Sequence, residues 1–153
     1  MIRIATFALF GLLAAPLAAK DSLGVYSNWA AFRDAETPRC YAIAKPRGRN
    51  ANSAFASVAT WPRQGIRNQV HFRLSRAVGN GGTVRLRIGT KNFELTARGR
   101  DAWAKDRRVD AAIVAALRSA ETMRISLRGT SDRYDLAGVA TAMDAAVVGC
   151  AEL

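Results

Sequence analysis

Apolar and polar residues alternate with a period of two through positions 23–100, and Gly, Pro and Asn interrupt the alternation at intervals. This period is typical of β-strands with one buried face, because successive side chains point to opposite sides of a sheet. The pattern predicts strands over 25–32, 40–45, 54–61, 69–76, 83–88 and 92–97.

Two segments between these strands have the composition of tight turns. Residues 79–82 read Gly-Asn-Gly-Gly, and Gly and Asn tolerate the positive φ angles that hairpin turns require. Residues 89–92 are interpreted as a second hairpin turn. The strands and turns together predict an antiparallel meander.

The period changes after residue 100. Asp106 is placed to cap a helix running to about residue 120, with Val109, Ile113 and Leu117 spaced four apart along its buried stripe. Residues 123–128 alternate again and predict a strand.

A second helix is predicted near the C-terminus. Asp135 is interpreted as its cap, and the apolar residues after it are expected to share one face. Those residues are Leu136, Val139, Met143, Val147 and Cys150. The predicted fold class is therefore mainly β, an antiparallel β-sandwich-like domain with two helices and an α+β C-terminal half.

The first residues have the pattern of a secretory signal peptide. Arg3 precedes an apolar run over 4–15, and small residues precede the polar boundary at Lys20. A membrane anchor is the alternative, but a spanning helix needs about 20 apolar residues and this run is shorter. We expect cleavage near residue 19, which leaves one domain over 20–153.

The cysteine and histidine content limits which disulfides and metal sites are possible. Cys40 and Cys150 make an even count, so we expect them to form a disulfide, with two buried free thiols as the alternative. A zinc site is disfavoured because His71 is the only histidine and no paired-ligand spacing is present.

The chain is strongly basic, with a net charge of +11 at pH 7. Several arginines fall in the polar phase of predicted strands, where one sheet would present them together as a cationic stripe. Guanidinium groups suit phosphates and carboxylates, so the stripe is a candidate site for anionic lipid, lipopolysaccharide or anionic glycan. The alternative is ordinary solubilising charge. The arginines are Arg73, Arg85, Arg87, Arg124 and Arg128.

Parts of the sequence resemble the invasion associated locus B family of exported bacterial proteins. The resemblance covers Trp29, the Cys-Tyr-Ala at 40–42, the Lys-Pro at 45–46, the Ala-Trp-Ala at 102–104, and 128–138 leading into a helix that closes at Cys150. The last block is similar to the family's Gly-Thr-x-x-Asp-x-Tyr-Ser-Leu-x-Gly-Phe signature. Asp135 stands where that signature has Ser, and Val139 where it has Phe. The resemblance implies a β-sandwich-like fold and a periplasmic or envelope location, and it transfers no reaction.

No local motif for catalysis surrounds His71. A Ser-His-Asp triad is assembled in space and stays open from sequence, but no serine lies in a Gly-x-Ser-x-Gly elbow. A surface histidine is the favoured interpretation. We therefore expect a non-enzymatic envelope protein without a cofactor that binds an anionic surface, glycan or protein partner. A hydrolase of envelope substrates is the alternative, and a nucleic-acid-binding protein, which export disfavours, is the third.

Overall fold

A computed structural model describes residues 20–48, 53–79, 82–151 and 153. No helix within these ranges is long and apolar enough to cross a membrane. The described elements are β1 (Asp21–Tyr26), β2 (Trp29–Asp34), β3 (Arg39–Ala44), β4 (Phe55–Trp61), a 3₁₀ turn (Pro62–Gln64), β5 (Ile66–Arg73), β6 (Val84–Ile88), β7 (Lys91–Arg98), β8 (Asp101–Trp103), α1 (Arg107–Ser119), β9 (Thr122–Leu127), β10 (Thr130–Asp135) and α2 (Val139–Gly149).

The strands form one antiparallel sheet that does not close. Their spatial order is β1-β2-β3-β4-β5-β8-β7-β6-β9-β10. The first five strands are a simple meander, and the next three follow in reverse order because β8 returns to pair with β5. The predicted mainly β, antiparallel fold class with two helices is confirmed.

One phase of nearly every strand packs into a common core. The inward residues of β6 and β9, such as Leu86 and Ile125, belong to the same apolar cluster as Val70 and Phe72 of β5. Both helices contribute to this cluster, α1 through Ile113 and Leu117. Both halves of the sheet therefore share one core, and their other faces are turned outward.

The last strand is fastened to distant parts of the sheet. The indole Nε1 of the buried Trp29 donates to the carbonyl of Asp135 over 2.9 Å. The backbone N–H of Arg47 donates to Arg133 O over 2.7 Å, and the Ser75 N–H donates to the buried carboxylate of Asp132 over 2.9 Å. These bonds hold β10 against β2 and the segments that follow β3 and β5.

Helix α1 follows the predicted boundaries. Asp106 caps it by accepting the Val109 N–H over 2.9 Å. Asp110 in its first turn accepts the backbone N–H of Val70 over 2.9 Å, at a position of β5 that β8 is too short to pair. Burial raises the pKa of Asp110. This hydrogen bond fixes the helix against the sheet.

Two strand predictions are corrected. The segment predicted as one strand over 25–32 is a hairpin, because the chain turns at Ser27, which has a φ of 53°, and β1 pairs with β2. Apolar residues on both sides of the turn concealed it. The strand predicted over 69–76 is displaced toward the N-terminus, since β5 spans Ile66–Arg73.

The hairpin predicted at 79–82 is wrong, because the strands before and after this turn do not pair with each other. Asn80 and Gly81 lie outside the described residues, and the Gly82 N–H donates to Gly79 O over 3.0 Å, as in a tight turn. However, β5 and β6 do not pair, because β8 pairs with β5 while β7 and β9 flank β6. The hairpin at 89–92 is confirmed by the β6–β7 register.

The cap predicted for the second helix is also wrong. Asp135 ends β10, and α2 begins only after Gly138, whose φ is 86°. A Cβ at Gly138 would collide with the backbone carbonyl of Tyr26, so only glycine fits this close approach. Val147 does not share the buried face, since it is 45% exposed.

The predicted disulfide joins Cys40 of β3 to Cys150 at the end of α2, with the two Cα atoms 5.6 Å apart. Both residues are buried with Ala31 and Ala146 in a small cluster of their own. The bridge therefore fastens the C-terminal helix to the first half of the sheet.

Removal of this bridge should destabilise the protein substantially. The cysteines lie 110 positions apart, and in the chain-entropy model a loop of this size contributes about 4–5 kcal/mol. We expect the double variant C40A/C150A to lose about this much free energy of unfolding in urea titrations under oxidising conditions. Reduced wild-type protein is the control and should unfold at a similar urea concentration. An unchanged midpoint would contradict the prediction.

Candidate anion-binding face

Three arginines lie side by side on the outer surface of three adjacent strands. Arg87 of β6 is directly opposite Arg124 of β9, and Arg124 is directly opposite Arg133 of β10. Each alternates with buried neighbours, so all three side chains are exposed on the same face. Directly opposite residues have Cβ atoms about 5 Å apart, so the three guanidinium groups share a small area.

The next row adds a fourth arginine. Arg85 of β6 is opposite Ser126 of β9, which is opposite Ser131 of β10. Glu94 of β7 is the acidic neighbour across from Arg85. Within the described ranges, no carboxylate lies within 4 Å of the guanidinium nitrogens of Arg85, Arg124 or Arg133. We name Arg85, Arg87, Arg124 and Arg133 the arginine face.

Two clefts extend this face in opposite directions. One, of about 640 Å³, is lined by all four arginines and by Arg47. Arg47 forms an ion pair with Asp135, and its hydrogen bond holds the pKa of that carboxyl below its usual range. The other cleft, of about 770 Å³, adds Arg76 and Arg128 beside Arg85. The arginine face is thus continuous at one end with two further arginines that have no ion-pair partner among the described residues.

Placing like charges opposite one another in a sheet is unfavourable. The arrangement is relieved when an anion is bound between the guanidinium groups, because each fork can donate two parallel hydrogen bonds to a phosphate or carboxylate. The clefts leave room for such groups. Chemically, the face is suited to several phosphates at once.

The structure brings together four of the five arginines that the sequence singled out, and it separates Arg73. Arg73 lies on β5, and β8 and β7 stand between that strand and β6. Its guanidinium is 2.8 Å from Asp101 on β8. It therefore belongs to a different part of the outer surface and is already neutralised.

His71 and Asp101 form a pair without a positioned nucleophile. The imidazole Nε2 is 3.0 Å from Asp101 Oδ1. Ser57 is opposite His71 on β4, but its hydroxyl donates to the His71 backbone carbonyl over 3.3 Å and not to the imidazole. The described residues therefore do not assemble the hydrogen-bond chain of a Ser-His-Asp triad here.

Sequence reasoning missed Arg133. No strand is predicted over 130–135, although the alternation of Thr-Ser-Asp-Arg-Tyr-Asp there is that of a strand whose outward positions carry Ser131 and Arg133. The inward Asp132 obscured this phase, because a buried carboxylate resembles a polar surface position in sequence. Its partner, the Ser75 N–H, is far away in the chain.

The pairs around Asp101 predict a stability that depends on pH. Burial opposes its ionisation, but hydrogen bonds from His71 and Arg73 prevail and lower the pKa of Asp101. A carboxyl whose pKa is lower in the folded state contributes stability above its unfolded pKa and loses it as the pH falls through the folded value. Asp101→Asn should cost about 1 kcal/mol or less at about pH 7, because solvent screens this half-exposed pair.

The deficit of the same variant relative to the wild type should shrink as the pH is lowered from about 7 to about 3, because the wild-type carboxyl loses its stabilising charge as the pH falls toward its lowered folded pKa. Urea unfolding at both pH values measures the difference. Asp21→Asn, which removes a more exposed ion pair with Arg33, is a matched control and should have a smaller effect at neutral pH. A deficit for Asp101→Asn that is equal at both pH values would refute the electrostatic origin.

Comparison with known proteins identifies a fold and no sequence relative. No protein-family model matches the sequence, and no curated protein matches it. The crystal structure of invasion associated protein b from Bartonella henselae is similar, with a TM-score of 0.60 over 85% of this chain and 96% of that one, at 17% sequence identity. The chain therefore has the fold of that protein.

Proposed function

We propose that this chain is an exported envelope protein of the invasion associated locus B type, and that it acts by binding an anionic surface through the arginine face. The observation that carries this proposal is the row Arg87, Arg124 and Arg133 on three adjacent strands. A solubilising surface intersperses charges of both signs, whereas this row has no carboxylate partner among the described residues.

The shape of the face favours an extended partner over a small ligand. The arginines stand on the outer side of adjacent strands, in open clefts, and not in an enclosed cavity. An array of this kind matches the phosphates of a lipid surface, which repeat in two dimensions. Each basic residue near an anionic membrane contributes about 1 kcal/mol, so the four together can hold the protein at a surface.

Export is supported by several independent features. The leader pattern over 1–19, the disulfide, and the resemblance at 40–42 and 129–138 all agree with it. The similar solved structure bears the name of an invasion associated protein, which agrees with a role at the cell envelope. A binding role agrees with the surroundings of His71, whose imidazole contacts Asp101 and Trp103, while the hydroxyl of the opposite Ser57 donates to a backbone carbonyl.

Binding to vesicles tests the proposed surface. The purified protein should sediment with vesicles that contain anionic phospholipid and not with purely zwitterionic ones. Retention should be strong at about 0.05 M salt and largely lost at about 0.5 M, where charges are screened within a few ångströms. The triple variant R87S/R124S/R133S should lose most of the retention at low salt.

A second triple variant removes the same charge elsewhere. Arg63, Arg67 and Arg107 are exposed around the 3₁₀ turn, the start of β5 and the start of α1. R63S/R67S/R107S should retain vesicle binding within about threefold if the arginine face is the contact. Equal losses in the two variants would show that net charge alone attracts the protein. Binding unchanged by salt would refute the electrostatic interaction.

The mass of the exported protein tests its location. When the full sequence is expressed in a Gram-negative host, we expect periplasmic material that begins near Lys20 and has no thiol that reacts with an alkylating reagent. A cytoplasmic protein of full mass with two alkylated cysteines would contradict export. A membrane-bound protein that is oxidised but keeps its leader would contradict only the predicted cleavage, and export would still hold.

A further inference from the structure

A second binding surface lies on the outer face of the other half of the sheet. There, β4 contributes the small side chains of Ser57 and Ala59, and larger side chains stand around them on the neighbouring strands. The result is a cleft of about 410 Å³ with a low floor along β4. We name it the aromatic trough. Around its floor stand Lys20, Arg39, Tyr41, Ile43, Phe55, Trp61, Gln69, His71 and Trp103.

Aromatic rings stand at both ends of this trough. Phe55 and Trp61 are the first and last residues of β4, six positions apart, which corresponds to about 20 Å along a strand. Both are half-buried, although they occupy the outward phase of the sheet. The trough therefore has the length of a short linear chain.

The ring planes along one wall are fixed by contacts with each other. His71 stacks on Trp103 with ring centroids 5.4 Å apart and planes 14° apart. Phe55 and His71 are in an edge-to-face contact, with ring centroids 5.3 Å apart. Asp101 holds the imidazole through its Nε2, so His71 cannot turn freely. These rings are organised before any ligand arrives, which reduces the entropic cost of binding.

Arg39 organises the opposite end. Its guanidinium carbon lies 5.0 Å from the centre of the Tyr41 ring and 5.1 Å from that of Trp61. The carboxylate of Asp34 is 3.3 Å from an Arg39 nitrogen and holds the guanidinium between the rings. Arg39 Nε is buried without a hydrogen-bond partner among the described residues, so this group is constrained by packing.

The acidic side chains around the trough are already paired with cations. Asp34 faces Arg39 and Lys20, while Asp101 faces Arg73 and His71. The arginine face, by contrast, has four guanidinium groups, and among the described residues only Glu94 is an acidic neighbour directly across the strands. The arginine face therefore offers an anion more cations than the trough does. The trough favours a neutral ligand with flat apolar faces and hydrogen-bonding edges.

We propose that the aromatic trough binds a neutral chain of pyranose sugars. The C–H faces of a sugar ring are apolar and stack on Trp61 and Trp103, whose rings are broad and half-exposed. The hydroxyl groups around the ring edge would meet Gln69 and the guanidinium group of Arg39, which line the trough. A site built from aromatic walls and a few placed polar groups is the general form of small-molecule sites.

This surface is separate from the arginine face, because β8 and β7 lie between β5 and β6. The proposal therefore does not depend on the proposed function. If both hold, the protein can contact an anionic surface with one half of its sheet and a sugar chain with the other.

Tryptophan fluorescence gives a direct test. Trp61 and Trp103 line the trough, whereas Trp29 is buried in the core. Neutral hexasaccharides of three linkages, chitohexaose, cellohexaose and maltohexaose, are titrated into the purified protein up to about 10 mM, beyond the range of a specific site. We expect a saturable change in emission with at least one of them.

Variants locate the binding. Trp103→Ala and Tyr41→Ala should each weaken binding at least about tenfold, and Trp103→Phe should retain most of the affinity because it keeps a flat ring. R87S/R124S/R133S should bind the same sugar as tightly as the wild type. Thermal melting of each variant confirms that it remains folded.

Three results would overturn the proposal. The first is the absence of any saturable emission change with all three sugars. The second is sugar binding that is unaffected in both Trp103→Ala and Tyr41→Ala. The third is sugar binding that is lost in R87S/R124S/R133S, since this would assign the sugar to the arginine face.

Discussion

The constraint on which this molecule depends is the alternation of side chains across a single sheet. One phase of the strands is buried in one core shared by both halves, so the other phase must face outward over most of its length. Register then decides which outward residues become neighbours. Residues as distant in the chain as Arg87 and Arg133 are brought into one row because β9 pairs with both β6 and β10.

Each outward surface lowers the stability of the fold, and the burial of the core offsets this loss. Opposed arginines repel one another, and half-exposed aromatic rings leave apolar area in water. The core contains many fully buried side chains, among them Phe72, Leu86 and Ile125, and each contributes about 1.5–3 kcal/mol. The disulfide adds a constraint on the unfolded chain. A domain secured in this way tolerates outward surfaces that are themselves unfavourable for stability.

The sequence predicts those elements whose signals are local. The cap at Asp106, the hairpin at 89–92, the strand of Met123 and the cysteine pair all follow from neighbouring residues or from residue counts. Where distant contacts decide the structure, prediction fails. The Gly138 turn exists because Tyr26 lies against it, and β8 is defined mainly by its partners on β5 and β7.

The same distinction applies to the candidate site. The polar phase of β6 and β9 identified Arg85, Arg87 and Arg124 correctly as neighbours, since a regular strand fixes which side chains share a face. Strand order is not encoded locally, so the sequence could not show that β8 and β7 separate Arg73 from them. The aromatic trough was hidden for a related reason. A tryptophan at the end of a strand carries no local signal that distinguishes a core position from an outward one, and only the cross-strand register places Trp61 and Trp103 outside.

The position of the disulfide has a consequence for cleavage of the chain by proteases. Cys40 and Cys150 enclose everything from β4 to α2 in one covalent ring. A protease that cuts the chain once inside that ring opens the ring but releases no fragment, because both pieces remain joined through sulfur. The nicked molecule can keep its strands paired and its surfaces in place until the bridge itself is reduced.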